Sequence, residues 1–284
     1  MTGINMGQML LKAKEGQYAI GAFNIFNYIS AKAAIKAAED LNSFLILQTS
    51  VGTVKQIGAS QLIEMLNILR SDTKVPVIVH LDHCKDVSLA KECIDKEWDS
   101  VMIDASEKSL IENIDTTLEV KCYAEKKNVT VEGELGVIRG VEEEIIVDEE
   151  KTTKYSEVVE YLNATGIDAI APAVGTAHGL YKGAVSINYD LVKKISKNID
   201  CPVVIHGGTG LEDDVFKRLI RNGATKINIS TALKHAYIDA CREYIQTNNE
   251  EYNPLKLDAY VESKIYEVVK KHIITFNSVD SVTR

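Results

Sequence analysis

Three of the six histidines follow short apolar runs, in a pattern that could bind a metal ion. His83 follows VPVIVHLD, His178 lies shortly after DAIAPAV, and His206 lies in PVVIHG. Three neutral imidazoles that leave one coordination position open form a catalytic zinc arrangement. A single histidine at such a place is more often a hydrogen-bonded structural residue. That interpretation weakens for all three together, because three coincidences at one end of one sheet are needed.

Carboxylate, amide and hydroxyl side chains also end apolar runs. Asp82 directly precedes His83, whereas Asp104 and Glu134 end two further runs. The last two carboxylates could cap helices, form an alternative metal position or hold the metal ligands in place. The remaining polar residues at these ends are Asn24, Ser50, Asn228 and Ser230.

Glycine-rich segments carry a second signal. GTAHGLYKG spans residues 175–183, HGGTG spans 206–210, and KINIST leads from a strand into a helix. Backbone without side chains lets amide N–H groups approach an anion, and the N-terminus of a helix favours negative charge. HGGTG alone is a weak turn motif, but together with KINIST it predicts a phosphate site. Lys182 either completes this pocket or faces solvent.

Residues 136–154, GVIRGVEEEIIVDEEKTTK, form a long acidic connection. A charge run usually belongs to a solvated surface. In a barrel, however, a long loop of this kind favours a mobile lid. Glu142 and Glu143 follow glycines that could act as hinges, so one of the two glutamates could swing over the site.

Eight β-rich runs alternate with amphipathic helical patterns, which predicts a parallel sheet with crossover helices. Eight β/α units at a spacing of about 30 residues favour a closed (β/α)₈ TIM barrel with a C-terminal helical extension. The first strand lacks the G-x-G-x-x-G of a dinucleotide-binding fold. We expect one domain over 1–284, with the barrel at about 1–247 and a helical tail at about 248–284. The runs end at Asn24, Ser50, Asp82, Asp104, Glu134, Val174, Gly207 and Ser230.

Composition excludes two partner classes. The 284 residues carry a net charge of −9, from 32 basic and 41 acidic residues, and contain no block of Lys and Arg. Binding to nucleic acid or to a membrane surface is therefore not expected. Five scattered cysteines without a C-x-x-C pair indicate a reducing compartment. With no signal-peptide pattern at the start, we expect a cytoplasmic protein.

Five motifs in order carry a resemblance to a known family. HLDHC at 80–84, VEGELG at 131–136, GTAHGLYKG, HGGTG and KINIST resemble the class II fructose-bisphosphate and tagatose-bisphosphate aldolases. The resemblance runs from the first strand to about residue 252. It implies reversible cleavage of a ketose bisphosphate, fructose or tagatose 1,6-bisphosphate, into dihydroxyacetone phosphate and glyceraldehyde 3-phosphate.

Matched residue by residue, the resemblance implies one zinc ion on His83, His178 and His206, and Asp82 as the acid/base for the aldehyde fragment. Glu134 and Asp104 match a second or alternative metal position, and Glu142 matches a loop glutamate that exchanges a proton on dihydroxyacetone phosphate. A monovalent cation, Na⁺ or K⁺, is usual in the family. The substrate and phosphate set is Gly179, Gly207, Thr209, Asn228, Ser230 and Thr231, to which we add Asn24, Ser50, Lys182 and Gly208.

The tail departs from the family pattern. Relatives that cleave bisphosphates carry an arginine after a proline, and its guanidinium holds the far phosphate, often across a subunit interface. Here Leu255 follows Pro254, and Lys256 offers only a point charge one position later. An aldolase for a ketose 1-phosphate is therefore an alternative, as is another cation that fills the gap. We expect a homodimer or homotetramer.

Other interpretations stay open at this stage. A class I aldolase would form a Schiff base on a lysine, for which Lys226 is the tempting candidate. A catalytically silent barrel that serves as a partner subunit is disfavoured, because every proposed metal ligand and Asp82 are present. A metallo-hydrolase is disfavoured because no H-x-H pair ends the first strand.

Overall fold

A computed structural model describes residues 4–138, 140–142, 145–147, 152–179 and 186–284, with backbone only for 140–142 and 145–147. Eight parallel strands close into a barrel, each followed by one or more helices, so the predicted (β/α)₈ TIM barrel is confirmed. Two further strands, β6 (Gly140–Glu142) and β7 (Ile145–Val147), pair antiparallel within the acidic connection. In spatial order the barrel consists of β1 (Ile20–Asn24), β10 (Ala224–Ile229), β9 (Val203–Ile205), β8 (Ala169–Pro172), β5 (Thr130–Leu135), β4 (Ser100–Ile103), β3 (Val77–Cys84) and β2 (Leu45–Ser50).

The helices of the described residues form the outer layer, and the first helix covers the end of the barrel at which the strands begin. Most have a side-chain cap at the N-terminus, as Ser109 provides for α6 by accepting from the backbone N–H of Glu112. They are α1 (Met6–Gly16), α2 (Tyr28–Asp40), α3 (Val51–Ile57), α4 (Ala59–Ser71), α5 (Val87–Asp95), α6 (Leu110–Glu125), α7 (Tyr155–Thr165), α8 (Tyr189–Asn198), α9 (Asp213–Arg221), α10 (Thr231–Thr247) and α11 (Pro254–Thr275).

Two core regions hold the barrel together. Apolar side chains that point outward from the strands pack under the helices, as in any sheet covered on both faces. A smaller cluster fills the end of the barrel at which the strands begin, where α1 covers the interior with Met6, Met9, Leu10 and Ala13. Toward the other end, the interior becomes polar. Gln48, His80, Glu132 and Lys226 are each 0% exposed there.

The histidines outside the proposed site divide into two groups. His80 lies in the barrel interior, with Nδ1 2.9 Å from Ser100 Oγ, whereas His235 is exposed on α10. The ring of His272, on α11, packs edge-on against Phe23 and Phe216, and its Nδ1 lies 2.7 Å from the carbonyl oxygen of Val268.

Helix α11 belongs to the outer ring of the barrel. It packs mainly against α2 and α10 and also touches β1. The segment after it returns to the end where the strands begin: Ala19 N–H donates to the carbonyl of Phe276 at 3.0 Å, and Phe44 N–H donates to Ser281 Oγ at 3.0 Å. No helix among the described residues is long and apolar enough to cross a membrane.

An ion pair ties α6 to the residue that directly precedes β8. Lys121 Nζ lies 2.9 Å from Asp168 Oδ2, and the same oxygen accepts the backbone N–H of Val131 at 2.8 Å. Because the pair sits where the strands begin, it is separated from the proposed site by the length of the strand.

Candidate active site

The three histidines predicted to bind metal converge at the C-terminal ends of the strands. One ligand nitrogen from each of His83, His178 and His206 lies within 4.8 Å of the other two. His206 Nδ1 and His83 Nε2 are only 2.6 Å apart. The His83 ring meets the His178 ring nearly edge-on, with the ring centroids 4.9 Å apart. Side chains that come from the end of β3, the end of β9 and the loop after β8 therefore meet at one point.

A distortion of β3 turns His83 into the mouth. Asp82 and His83 are consecutive, so a regular strand would point them to opposite faces. His83 instead adopts a left-handed backbone conformation, with φ of 46°, and the register of β3 against β4 shifts between Leu81 and Cys84. Such bulges re-aim a side chain at the rims of barrels. Both residues can therefore serve one site.

Two carboxylates lie beside Nδ1 of His83, the ring nitrogen that faces away from His206. His83 Nδ1 lies 3.3 Å from Asp104 Oδ2 and 3.4 Å from Glu134 Oε2. Ser106 donates both its backbone N–H and its hydroxyl to Asp104 Oδ1. Burial raises the pKa of Asp104, but the hydrogen bonds from His83 and Ser106 outweigh burial and leave the pKa below its ordinary value. The two carboxylates thus hold His83 in place, and the three residues also form a second possible metal-binding group.

The donor set of the three histidines fits a metal ion. His206 Nε2 lies 2.8 Å from Glu132 Oε1, so that nitrogen carries the proton and Nδ1 keeps its lone pair. His83 Nδ1 likewise faces carboxylates, so in the neutral form of both rings the two nitrogens that approach to 2.6 Å are acceptors, and a bound cation would satisfy both. Burial, and then the neighbouring His83, lowers the pKa of His178 to about 3 and that of His206 well below its ordinary value. Neutral imidazole is the form that binds zinc.

Asp82 is buried, and three amide groups hold its carboxylate. Asn24 Nδ2 donates to Asp82 Oδ2 at 2.8 Å, Gln48 Nε2 donates to the same oxygen at 3.1 Å, and Asn228 Nδ2 donates to Oδ1 at 3.1 Å. Gln48 also donates to Asn24 Oδ1 at 2.7 Å. Sequence reasoning missed Gln48 because it lies two residues before the end of β2, where only the last residue was considered. Its signal is a polar residue within an apolar strand.

The predicted phosphate loops also meet. Thr209 Oγ1 accepts the backbone N–H of Ala232 at 3.3 Å, which joins the loop after β9 to the first turn of α10. Ser230 is the N-cap of α10 and Thr231 is its first residue. Gly207 has φ of 69°, and a Cβ there would lie 2.4 Å from the carbonyl oxygen of Ala177. Bare backbone therefore lies beside a helix N-terminus, a combination suited to an anion.

Comparisons with known proteins agree with this geometry. The model of the family described as "Fructose-bisphosphate aldolase class-II" matches residues 4–281. The chain belongs to this family. A fructose-bisphosphate aldolase of Staphylococcus aureus is 36% identical over 278 residues, which cover 97% of each chain.

Solved structures agree with the family. The YdjI aldolase of Escherichia coli K12 superposes with a TM-score of 0.84 at 27% identity over 97% of each chain. The fructose-bisphosphate aldolase of Campylobacter jejuni gives a TM-score of 0.82 at 26% identity, with 98% of this chain and 96% of that chain covered. The protein is therefore an enzyme, a lyase of the class II aldolase type.

Membership in class II makes the Schiff-base role for Lys226 wrong. Lys226 is 0% exposed, and its Nζ lies 2.9 Å from Glu132 Oε2, so no substrate carbonyl can reach it without breaking a buried ion pair. Class II aldolases do not form this adduct.

For some further residues predicted to belong to the site, the described contacts say little about binding or catalysis. Ser50, at the end of β2, accepts the backbone N–H of Thr53 at 3.2 Å as the N-cap of α3. Gly179 has φ of 88°, and a Cβ at Gly208 would lie 2.7 Å from the carbonyl oxygen of Asn228. Glu142 is the last residue of β6, described by its backbone alone. Lys182 and Glu143 lie outside the described residues, so their predicted roles stay predictions.

Proposed function

We propose that this class II aldolase cleaves a ketose 1,6-bisphosphate, fructose or tagatose, with one zinc ion bound by His83, His178 and His206. The products are dihydroxyacetone phosphate and glyceraldehyde 3-phosphate. The observation that carries the proposal is the convergence of three imidazoles, with one ligand nitrogen of each within 4.8 Å of the other two. When bound, zinc would supply a Lewis acid that stabilises negative charge on substrate oxygens by several kcal/mol.

Asp82 takes the proton of the hydroxyl at carbon 4 of the substrate. The bond between carbons 3 and 4 then breaks, carbon 4 becomes the aldehyde, and the electron pair stays with the dihydroxyacetone phosphate fragment. The hydrogen bonds from Asn24, Gln48 and Asn228 hold the carboxylate in one orientation before the reaction. A positioned acid/base of this kind contributes roughly 10²–10⁴ in rate.

Glu142 returns a proton to carbon 3 and completes dihydroxyacetone phosphate. Its place in the acidic connection, on the short strand β6, supports a residue that can approach the mouth from the loop after β5. Replacement of Glu142 by Ala should slow proton exchange on dihydroxyacetone phosphate and leave zinc content unchanged. Glu143→Ala is the matched control, and an exchange defect confined to Glu143→Ala would shift the assignment by one residue.

The near phosphate would bind between the loop after β9 and the first turn of α10. The N-terminus of α10, which begins at Thr231 after the N-cap Ser230, offers backbone N–H groups to an anion there, and Thr209 joins the two segments. Lys182 would add a cation from the glycine-rich loop. A sodium or potassium ion beside these loops completes the proposed site.

A second candidate substrate, a ketose 1-phosphate, is favoured by the tail. Leu255 is 71% exposed in the first turn of α11, where bisphosphate-cleaving relatives carry arginine. Lys256, the next residue in the chain, is paired with Glu251. Leucine offers no charge-assisted donor to a phosphate, so the distal phosphate would add little to binding.

The test compares kcat/KM for fructose 1,6-bisphosphate, tagatose 1,6-bisphosphate and the two 1-phosphates. Leu255→Arg should raise the preference for a bisphosphate, and Ile245→Arg, which adds the same charge at another exposed position, is the control. A strong wild-type preference for bisphosphates that Leu255→Arg leaves unchanged would refute the relaxed distal site. Zinc binding without cleavage of any of the four substrates would instead favour a silent barrel.

A further inference from the structure

Glu132 and Lys226 form a buried ion pair one layer below the proposed site. Lys226 Nζ lies 2.9 Å from Glu132 Oε2, and both side chains are 0% exposed. Glu132 precedes Glu134 by two residues on β5, and Lys226 precedes Asn228 by two residues on β10. Because alternate residues of a strand face the same side, the pair points into the barrel beneath those two site residues.

Glu132 determines which nitrogen His206 presents to the cluster. Its Oε1 lies 2.8 Å from His206 Nε2, and a carboxylate can only accept in this contact. The imidazole is therefore protonated at Nε2, and the lone pair is on Nδ1. Nδ1 is the nitrogen that lies 2.6 Å from His83 Nε2 in the histidine cluster.

Lys226 connects the histidine cluster to Asp82, the residue proposed to move a proton. In addition to its ion pair with Glu132, its Nζ donates a hydrogen bond to Asn228 Oδ1 at 2.8 Å. With its oxygen held by a cation, the Asn228 amide directs Nδ2 to Asp82 Oδ1 at 3.1 Å. Lys226 also compensates the charge of Glu132, which would be costly to bury alone.

We propose that Glu132 and Lys226 are positioning residues, Glu132 for the histidine cluster and Lys226 for Asp82. Glu132 holds His206 in the Nε2–H tautomer that offers Nδ1 to zinc. Lys226 keeps Glu132 in place and fixes the Asn228 amide against Asp82. The inference rests on the proposed zinc site for its consequence, but the tautomer itself is a property of the metal-free chain.

The first test is ¹⁵N NMR of histidine ring nitrogens in the metal-free protein, with the His206 signals assigned by their loss in His206→Ala. The wild type should show His206 protonated at Nε2. In Glu132→Gln, whose amide can donate as well as accept, a mixture of tautomers is expected. A wild-type His206 protonated at Nδ1, or one tautomer unchanged in Glu132→Gln, would overturn the proposal.

The second test measures zinc affinity by chelator competition. Loss of a group that orients a ligand weakens metal binding by about 10–100-fold, and we expect this in Glu132→Gln and in Lys226→Met. Lys121→Met removes a lysine from the ion pair with Asp168 at the other end of the barrel. This control should lower the melting temperature but leave both zinc affinity and the His206 tautomer unchanged.

The double variant Glu132→Gln/Lys226→Met separates positioning from charge balance. Removing both charges relieves the cost of an unpaired buried ion, so its melting temperature should recover relative to the single variants. Zinc affinity should stay low, because nothing fixes the tautomer. Recovery of wild-type zinc affinity in the double variant would overturn the proposal. A wild type that binds no zinc would contradict the proposed function alone, since the tautomer test needs no metal.

Discussion

Replacing Gly207 by Ala would place one methyl group between two of the proposed zinc ligands. Gly207 follows His206, and the new Cβ would lie 2.4 Å from the carbonyl oxygen of Ala177, the residue before His178. The contact must lengthen to at least 3.0 Å, which forces apart the two backbone segments that carry these histidines. A left-handed conformation costs a non-glycine residue a further 1–2 kcal/mol, roughly.

Gly166→Ala is the matched control for this substitution. Gly166 also has positive φ, 58°, but a Cβ there would meet nothing within 4 Å. Both variants should lose about 1–2 kcal/mol of unfolding free energy from the backbone conformation alone. Gly207→Ala should lose more, because it also carries the clash.

Activity should separate the two variants more sharply than stability does. A misplacement near 1 Å costs about 100-fold in rate, so kcat/KM of Gly207→Ala should fall on that order, with weaker zinc binding by chelator competition. Gly166→Ala should keep wild-type kcat/KM and zinc affinity. If Gly207→Ala bound zinc as tightly as the wild type and cleaved substrate normally, the close approach of the two segments would have no role in ligand geometry.

Three further predictions follow from the same contacts. Chelation should abolish cleavage, and zinc or cobalt should restore it; full activity of metal-free protein would exclude the zinc site. Asp82→Ala should retain zinc, measured by metal analysis, but lose carbon–carbon cleavage, because Asp82 moves a proton and does not bind the metal. Burial lowers the pKa of His272, so the unfolded chain binds the proton more readily, and the free energy of unfolding should fall as pH drops below about 6.5. His272→Phe should weaken this pH dependence in denaturant titrations between pH 7 and 5. A pH dependence equal to that of the wild type would contradict the prediction.

The fold and the rim of the site follow from simple features of the sequence. Apolar runs, most of which end in a polar residue, predicted all eight barrel strands, because each parallel strand is buried until it opens into the mouth. The observed ends match the predicted ones at Asn24 and Ser50 and differ elsewhere by at most two residues, as at β3, which continues to Cys84 instead of stopping at Asp82. Helix α1 was not predicted, although Asn5 and Gln8 form a capping box before its apolar positions.

The interior of the site was harder to predict. Gln48, Glu132 and Lys226 lie within apolar strands, and nothing in their spacing indicates that their side chains face one another across the barrel. Contacts between side chains of different strands depend on how the strands are staggered when the barrel closes. The left-handed conformation of His83 could not be predicted either, since residues other than glycine adopt it only uncommonly.

The first strand pairs with segments near the end of the chain, so the barrel cannot close until most of the chain has been synthesised. β1 pairs with β10, and the backbone around residues 19–44 bonds to residues 276–282. On a ribosome, the early strands therefore emerge long before their partners and expose an unpaired edge and apolar faces. Such intermediates aggregate readily, so the protein should depend on holding chaperones during translation. A truncation that removes the contacts of Phe276 should lower the soluble yield strongly, whereas the melting temperature of the soluble fraction should fall only slightly.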